Sequence, residues 1–587
     1  MSIPFPIRIA LAVIALFVAA APARADWPTS ASVNLPVCTS PNLQSGQTLV
    51  PDLAGGVFIV WGDLRNGVEF DIYVQHVLSS GVVDPTWPVN GLAITTSMTG
   101  AQVNPAAITD GAGGVVLAWQ DVRTGSVANP DVYAQHLRAD GTVDPAWPTS
   151  GVAVCTAPGQ QGLIRMLSDQ AAGAIVAWRD QRNDTDLYAA RVQANGQLDP
   201  AWAVNGNPIV SGAGGQNNMV LAPDGHGGLI ATWTDTRNGA AADIYAQRLL
   251  QNGSVAPGWP VNGIAVCTAA GLQQLPSIAP DAAGGAFIGW EDYRPGPTAD
   301  IYAHHVRANS TLDPAWAVDG SAVCLAAGNQ TRGRVAADAA GGVFVAWIDA
   351  RAGSIPAFYA QHLLANGSRD AAWPVSDLNF CAAFGNHVNL VLLPDGTGGA
   401  LAAWDDARNG GGLDVFAHHL LAAGIADPAW PVNGRGVSVM IGSQNAAGAV
   451  LADGSGGLIV AWSDTRTFAT SGNDIYAQRV QANGALGGSV LDVPLGRVTG
   501  LELAPLAPTP ARSDRLGLRH TLPRDGHVRL ELLDVAGRML AEHDLGLQDA
   551  GSHAYDWAPP TRIAAGLQFV RLRFGADTRT VRAVIVE

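Results

Sequence analysis

The element Trp-x-Asp-x-Arg occurs eight times in this chain, about 57 residues apart. Its tryptophans are Trp61, Trp119, Trp178, Trp233, Trp290, Trp347, Trp404 and Trp462, each followed by Asp and Arg two and four positions on, as in Trp290/Asp292/Arg294. A period of this length means one supersecondary unit stamped out repeatedly, each copy burying its apolar face on its neighbours. The repetition also bounds function. A catalytic constellation is normally single-copy, so a triplet present in every unit reads as scaffold.

Each unit parses into four short apolar runs separated by turn signals. A turn such as Asp224-Gly225-His226-Gly227-Gly228 ends the first run, and the second alternates into the tryptophan. The third is typified by Asp243-Ile244-Tyr245-Ala246-Gln247-Arg248-Leu249 and the fourth by Gly263-Ile264-Ala265-Val266-Cys267. Asp and Gly supply the left-handed and Asx-type conformations that hairpins demand. Four strands in each of eight units predict an all-β fold, an eight-bladed β-propeller followed by a small Ig-like β-sandwich. The ends argue for closure. Trp27 to Thr39 matches a fourth-strand segment but precedes the first complete unit, whereas the last unit lacks that segment after Asn483-Gly484. Pairing the two would satisfy edges that an open array leaves exposed.

The expected organisation is a signal peptide (1–25), a propeller (26–493), a linker (494–510) and a C-terminal domain (511–587). Arg8, the apolar run Ile9 to Ala21 and the small-residue site Ala23-Arg24-Ala25 have the pattern of a secretory signal. The mature chain is expected to have no membrane span and to be secreted or held at the cell surface. All 33 basic residues are arginine, and the net charge of −16 argues against nucleic acid as a partner. Cys38, Cys155, Cys267, Cys324 and Cys381 occupy one repeat slot, too far apart for disulfides, and read as buried small hydrophobes. The slot after Tyr-Ala-Gln is always His or Arg. One such residue per unit, spread around a ring, cannot converge on a metal, so neither a metal nor a cofactor is expected.

The segment Arg138-Ala139-Asp140-Gly141-Thr142-Val143-Asp144-Pro145-Ala146-Trp147 resembles the delta-60 repeats of bacterial exported proteins, which implies a propeller but no defined activity. The stretch Leu522-Pro523 through Gly526-His527-Val528-Arg529-Leu530-Glu531-Leu532-Leu533-Asp534-Val535-Ala536-Gly537 resembles the FlgD-like immunoglobulin fold and type IX secretion sorting domains. That resemblance implies a sorting or attachment role and contact with secretion machinery. The sialidase Asp-box, Ser-x-Asp-x-Gly-x-Thr-Trp, is absent; here Trp precedes Asp.

Function is sought where copies differ or polar groups converge. An amide stands 17 residues before each Trp: Gln44, Gln102, Gln161, Gln216, Gln273 and Gln330, with His387 in the seventh copy and Asn445 in the eighth. If first strands are innermost, these side chains ring one mouth of the channel; the competing reading pairs each with backbone in the crossover turn. The non-repeated Arg165, Arg332, Arg334, His387 and Asn389 lie near the same strands and suit a carboxylated or hydroxyl-rich ligand. Glu69 and Glu291 read as exposed loop acids, and no catalytic residue is assigned. The leading expectation is a non-enzymatic glycan- or protein-binding module. The alternatives are a channel-mouth glycoside hydrolase or lyase, and a purely structural surface component.

Overall fold

The computed structural model describes residues 27–488, apart from 96–98, 125–127, 240, 295, 354–355 and 447, together with the strands and parts of the connections between 502 and 586. The expected signal peptide and most of the expected linker lie outside the described residues.

Eight antiparallel sheets fill the repeat region, six of them four-stranded with their strands in chain order. One is built from Gln273–Pro280, Ala286–Asp292, Asp300–Val306 and Ser321–Cys324. Every residue of Ala286–Asp292 is buried. Sheets cover both its faces, which is why the second run of each repeat is continuously apolar rather than alternating. The last sheet takes an outer strand from the other end of the chain, Leu35–Cys38 pairing antiparallel with Asp474–Val480. First strands of successive sheets touch in order, and Val450–Ala452 of the last touches Gln44–Pro51 of the first. The arrangement is of the β-propeller type, with the first strands as its inner wall.

The Trp-x-Asp-x-Arg element is one polar node. In the fifth repeat Trp290 Nε1 donates to Asp292 Oδ2 (2.9 Å), while the Arg294 backbone N–H (2.8 Å) and Nε (2.9 Å) donate to Oδ1. Arg294 Nη2 reaches Oδ2 and the Asp319 carbonyl, and the guanidinium lies 3.9 Å over the Tyr302 ring. All eight repeats stack the arginine on an aromatic ring, Phe416 in the seventh. The five cysteines are free and buried, with Cys267 Sγ 3.1 Å from Arg294 Nη2. The tryptophans themselves pack between sheets; Trp119 shares a cluster with Val50, Phe58 and Ile72 of the preceding repeat.

The second tryptophan of each repeat fastens it to the next. Trp147 Nε1 donates to the Ala194 carbonyl (3.0 Å), Trp316 to Ala365 (3.0 Å) and Trp430 to Ala482 (2.9 Å). The indole lies on the next repeat's turn glycine. A Cβ on Gly141, whose φ is +79°, would come within 2.8 Å of Trp87.

In six of the eight repeats the His/Arg slot sits between two carboxylates. His305 Nε2 meets Asp281 (2.9 Å) and Nδ1 meets Asp313 (2.9 Å); in the third repeat Arg191 spans Asp169 (2.8 Å) and Asp199 (2.7 Å). Where Ala256 or Gly487 replaces the second Asp, the cation is an arginine, Arg248 or Arg479. Burial disfavours the charged ring of His76, His305 and His419, but hydrogen bonds to the two carboxylates outweigh it and hold these pKa values above the ordinary histidine value.

Residues 502–586 form two further sheets. One holds Glu502–Pro505, Leu516–Leu522 and Gly551–Trp557; the other holds Ala511–Arg512, Gly526–Leu533, Met539–Gln548, Gly566–Phe574 and Asp577–Val586. Leu516, Leu518 and Trp557 of the first share a buried cluster with Leu530, Val570 and Leu572 of the second. Strand Glu502–Pro505 falls inside the span read as linker. Among the described residues no helix is long and apolar enough to cross a membrane.

Two outcomes follow from these contacts. Asp292→Ala strands a buried guanidinium and an indole N–H, and is expected to lower the unfolding free energy by about 3–5 kcal/mol in a urea titration. A histidine pKa raised by folding adds stability that is complete below the unfolded value of about 6.5 and is lost as pH rises through the folded value. Tm is therefore expected to fall as pH rises from about 6.5 into the alkaline range, and the triple variant His76→Arg, His305→Arg, His419→Arg to flatten that fall. A parent Tm constant over that range would refute the bridging role.

Candidate functional site

The inner strands surround a channel containing two adjoining cavities. One, of about 690 Å³, is bordered by Leu163, Arg165, Met166, Asn218, Met219, Leu275, Ser277, Ile278, Arg332, Arg334 and Val391. The other, of about 730 Å³, is bordered by Gln47, Thr48, Asn104, Gln120, Gln160, Leu163, Arg165 and Arg179. Gly448 borders both.

The expected amide ring is not at the mouth. Gln44, Gln102, Gln161, Gln216, Gln273 and Gln330 are fully buried in the wall. Gln161 Nε2 donates to the Ala157 (3.1 Å) and Gly159 (2.7 Å) carbonyls, Gln216 to Gly214 (2.9 Å), and Gln102, Gln273 and Gln330 bond likewise into their own crossover turns. His387 takes the same place, its Nε2 3.0 Å from the Ala383 carbonyl and its Nδ1 3.0 Å from Asp406. In the eighth repeat the place belongs to Gln444, which pairs with Asp464, and not to Asn445. One extra residue breaks that inner strand into Gln444–Asn445 and Val450–Ala452.

A bulge in each regular inner strand explains the misplacement. The register slips after the second residue, and the third adopts a left-handed backbone: Gly46 (φ 69°), Asn104 (54°), Leu163 (50°), Asn218 (54°), Leu275 (51°), Arg332 (55°) and Asn389 (55°). Simple alternation would put Gln273 and Leu275 on one face. The left-handed residue breaks it, so the amide enters the wall while Leu275 borders the channel. Gly and Asn adopt this backbone readily; other L-residues do so at roughly 1–2 kcal/mol.

The variable residue inside Trp-x-Asp braces the next repeat's bulge. Glu291 Oε1 accepts the Arg332 backbone N–H (2.6 Å) and Oε2 accepts Gln274 Nε2 (3.0 Å). Asp405 accepts the Ala446 N–H (3.0 Å) and Asn389 Nδ2 (2.8 Å), and Gln120 Nε2 donates to the Gln161 carbonyl (2.7 Å). Glu291 is thus a buried brace rather than an exposed loop acid. Neither it nor Asp405 borders the cavities.

Arg165, Arg332 and Arg334 do meet at the first cavity, and Arg179, in the variable slot of the third repeat, joins Arg165 at the second. Their partners are neutral. Arg165 Nη1 donates to the Ile164 carbonyl (3.0 Å), Arg334 Nε to Leu390 (3.0 Å), and Arg179 Nη1 to Asn217 Oδ1 (3.4 Å). Among the described residues none of the four forms a salt bridge, whereas the Arg of every Trp-x-Asp-x-Arg element does. Arg165 is open to channel water yet walled by protein, and this partial loss of hydration lowers its pKa; the same loss, with the Arg332 charge added, lowers that of Arg334. The cluster can attract and orient an anion.

A different cluster has metal-ligand chemistry without metal-site logic. Cys381, His387 and Asp406 bring ligand atoms within 4.8 Å of one another. Arg408 Nη2 already bonds both Asp406 and Cys381 Sγ (3.2 Å), so a guanidinium holds the position a cation would take. It is the Cys–Asp–Arg node of four other repeats, those of Cys38, Cys155, Cys267 and Cys324, with His in place of Gln.

No protein-family model matches the sequence, and no curated protein matches it. Solved structures do. A polysaccharide lyase described as an ulvan lyase is 8% identical over 66% of this chain and 96% of its own, with a TM-score of 0.41. An α-L-arabinofuranosidase of Fusarium graminearum is 12% identical over 56% of this chain and 94% of its own (TM-score 0.29), and a Hadza microbial sialidase 12% over 62% and 75% (TM-score 0.34). At such identities the likeness is one of fold. Those proteins are glycan-degrading enzymes, which runs against the expected non-enzymatic binder and the preference against an enzyme; the likeness itself assigns this chain no activity.

An unpaired channel cation adds nothing to folding. Arg165→Met and Arg334→Met are each expected to leave the unfolding free energy within about 0.5 kcal/mol of the parent or above it. Arg191→Met, which leaves Asp169 and Asp199 facing each other, is expected to cost about 3–5 kcal/mol in the same urea titration. Equal losses in all three would show that the channel arginines serve the fold.

Proposed function

We propose that the protein is an exported enzyme that degrades a uronate-bearing polysaccharide in the channel of an eight-bladed propeller, by elimination rather than hydrolysis. The carrying observation is the set of guanidinium groups without carboxylate partners around one cavity of an acidic chain. In uronate elimination the proton beside the carboxylate passes to a base, here water of the open channel, the C4–O bond breaks with its electron pair leaving on an oxygen that takes a proton from water, and a C4=C5 double bond forms. Neutralising the substrate carboxylate acidifies that proton, and fixed arginines supply the neutralising charge. Hydrolysis instead calls for two carboxyl groups flanking the scissile bond. Among the described residues neither cavity is bordered by an Asp or Glu, and the two acids of the variable slot are engaged by wall donors.

In this reading residues 1–25 direct export and 26–493 form the propeller, closed by the N-terminal strand. Residues 511–587 are an Ig-like unit for sorting or attachment. The pairing of Leu35–Cys38 with Asp474–Val480 and the two-sheet core around Trp557 support it.

The test is incubation of the purified protein with polygalacturonate, alginate, a glycosaminoglycan and neutral arabinan, following both ultraviolet absorbance of unsaturated uronate and new reducing ends. Cleavage of an acidic polymer with gain of absorbance is expected, and Arg165→Ala and Arg334→Ala should each lower kcat/KM by about 10²-fold or more. Reducing ends without absorbance would establish a hydrolase. Turnover of arabinan alone would remove the role given to the arginines.

A further inference from the structure

Three inner-strand residues stand in a conformation that local stability disfavours, and all three border the same cavity. Leu163, Leu275 and Arg332 hold φ values of 50°, 51° and 55° at the bulge, where other repeats use Gly or Asn. A left-handed backbone is unfavourable for Leu and Arg, and such residues persist where their side chains have work to do. Packing does not explain them. Leu163 is 42% exposed, Leu275 is half-buried, and the Arg332 guanidinium is exposed and forms no hydrogen bond with any described residue. The fold also braces the third position, since the buried Glu291 carboxylate receives the Arg332 N–H at 2.6 Å.

We propose that Leu163, Leu275 and Arg332 are the specificity-determining residues of the channel, and that they select a uronate-bearing sugar by reading two features together. Arg332, with Arg165 and Arg334 two residues along the strands, takes the carboxylate. Leu163 and Leu275 take the apolar C–H face of the pyranose ring. A neutral sugar leaves the guanidinium unanswered, and a small free anion leaves the leucines wet. This selection rests on the channel being the glycan site proposed above, but it does not require that the bound glycan be cleaved.

The experiment uses the full chain and the variants Leu163→Asn, Leu275→Asn and Arg332→Asn, which install the residue found in the second, fourth and seventh repeats. Tm is measured without ligand, and calorimetric titrations use polygalacturonate oligosaccharides, free acetate and arabinan oligosaccharides. Each variant is expected to melt about 1–2 °C higher than the parent, because Asn relieves the bulge. Arg332→Asn should weaken polygalacturonate binding tenfold or more, and each leucine variant threefold or more, with acetate and arabinan binding weakly throughout. A higher Tm with unchanged affinity would overturn the proposal, since strain would then be unrelated to the ligand. A lower Tm would overturn it by showing that these side chains hold the fold, and so would a parent that fails to bind polygalacturonate. If the parent binds with the expected variant pattern but never cleaves, the enzymatic reading fails and the selectivity stands.

Discussion

The structure depends on one buried carboxylate per repeat. The aspartate of Trp-x-Asp-x-Arg ends the second strand, and its two oxygens collect an indole N–H, a backbone N–H and a guanidinium. Taking a carboxylate out of water is costly, and the cost is offset only when the geometry is good and the remaining lone pairs are filled. Here both conditions hold, because the aspartate turns the chain and the arginine, two residues on, folds back over its own turn onto Tyr or Phe. The node therefore couples strand end, turn and third strand in one cooperative unit. It fixes the tryptophan ring that fills the gap to the adjacent sheet, so a local polar arrangement sets a long-range packing geometry.

Coupling between repeats uses different chemistry. A second indole covers the next repeat's turn glycine and donates to that turn's carbonyl, so neighbouring units share both an apolar contact and a directional bond. A histidine or arginine between two aspartates ties the hairpin turn to the segment leading into that indole. Histidine and arginine exchange because each reaches the aspartate of the hairpin turn, and where a second aspartate is present, as with His305 and Arg191, each reaches it too. The exchange would be unintelligible if the slot served a metal, which needs a neutral imidazole.

Much of this was legible in the sequence. Turn signals and apolar runs mark the four-stranded unit, since Asp-Gly turns and alternation are local properties. Arg165, Arg332 and Arg334 were visible as departures from an otherwise regular repeat. What failed to show was side-chain direction. A bulge inserts a left-handed residue into the inner strand, and counting alternation through it sends Gln273 to the wrong face. The eighth repeat hides one extra residue, so fixed spacing from Trp462 picks Asn445 where Gln444 sits. Glu291 looked like a loop acid because nothing local reveals that its partners, Arg332 and Gln274, lie on two different inner strands.

The position of Glu291 shows how such a ring acquires a site. Trp, Asp and Arg are fixed in every copy, but the residue between Trp and Asp points at the neighbouring inner strand and is free to vary: Gly62, Gln120, Arg179, Thr234, Glu291, Ile348, Asp405 and Ser463. A substitution there leaves the node intact while changing what braces the next bulge, and the bulge decides which side chain enters the channel. Scaffold and site are thus separated by a single residue within one five-residue element. Symmetry is kept in the Trp, Asp and Arg of the node, where the free energy of folding demands it, and is broken along the channel, where Glu291 braces Arg332 and Arg179 stands beside Arg165.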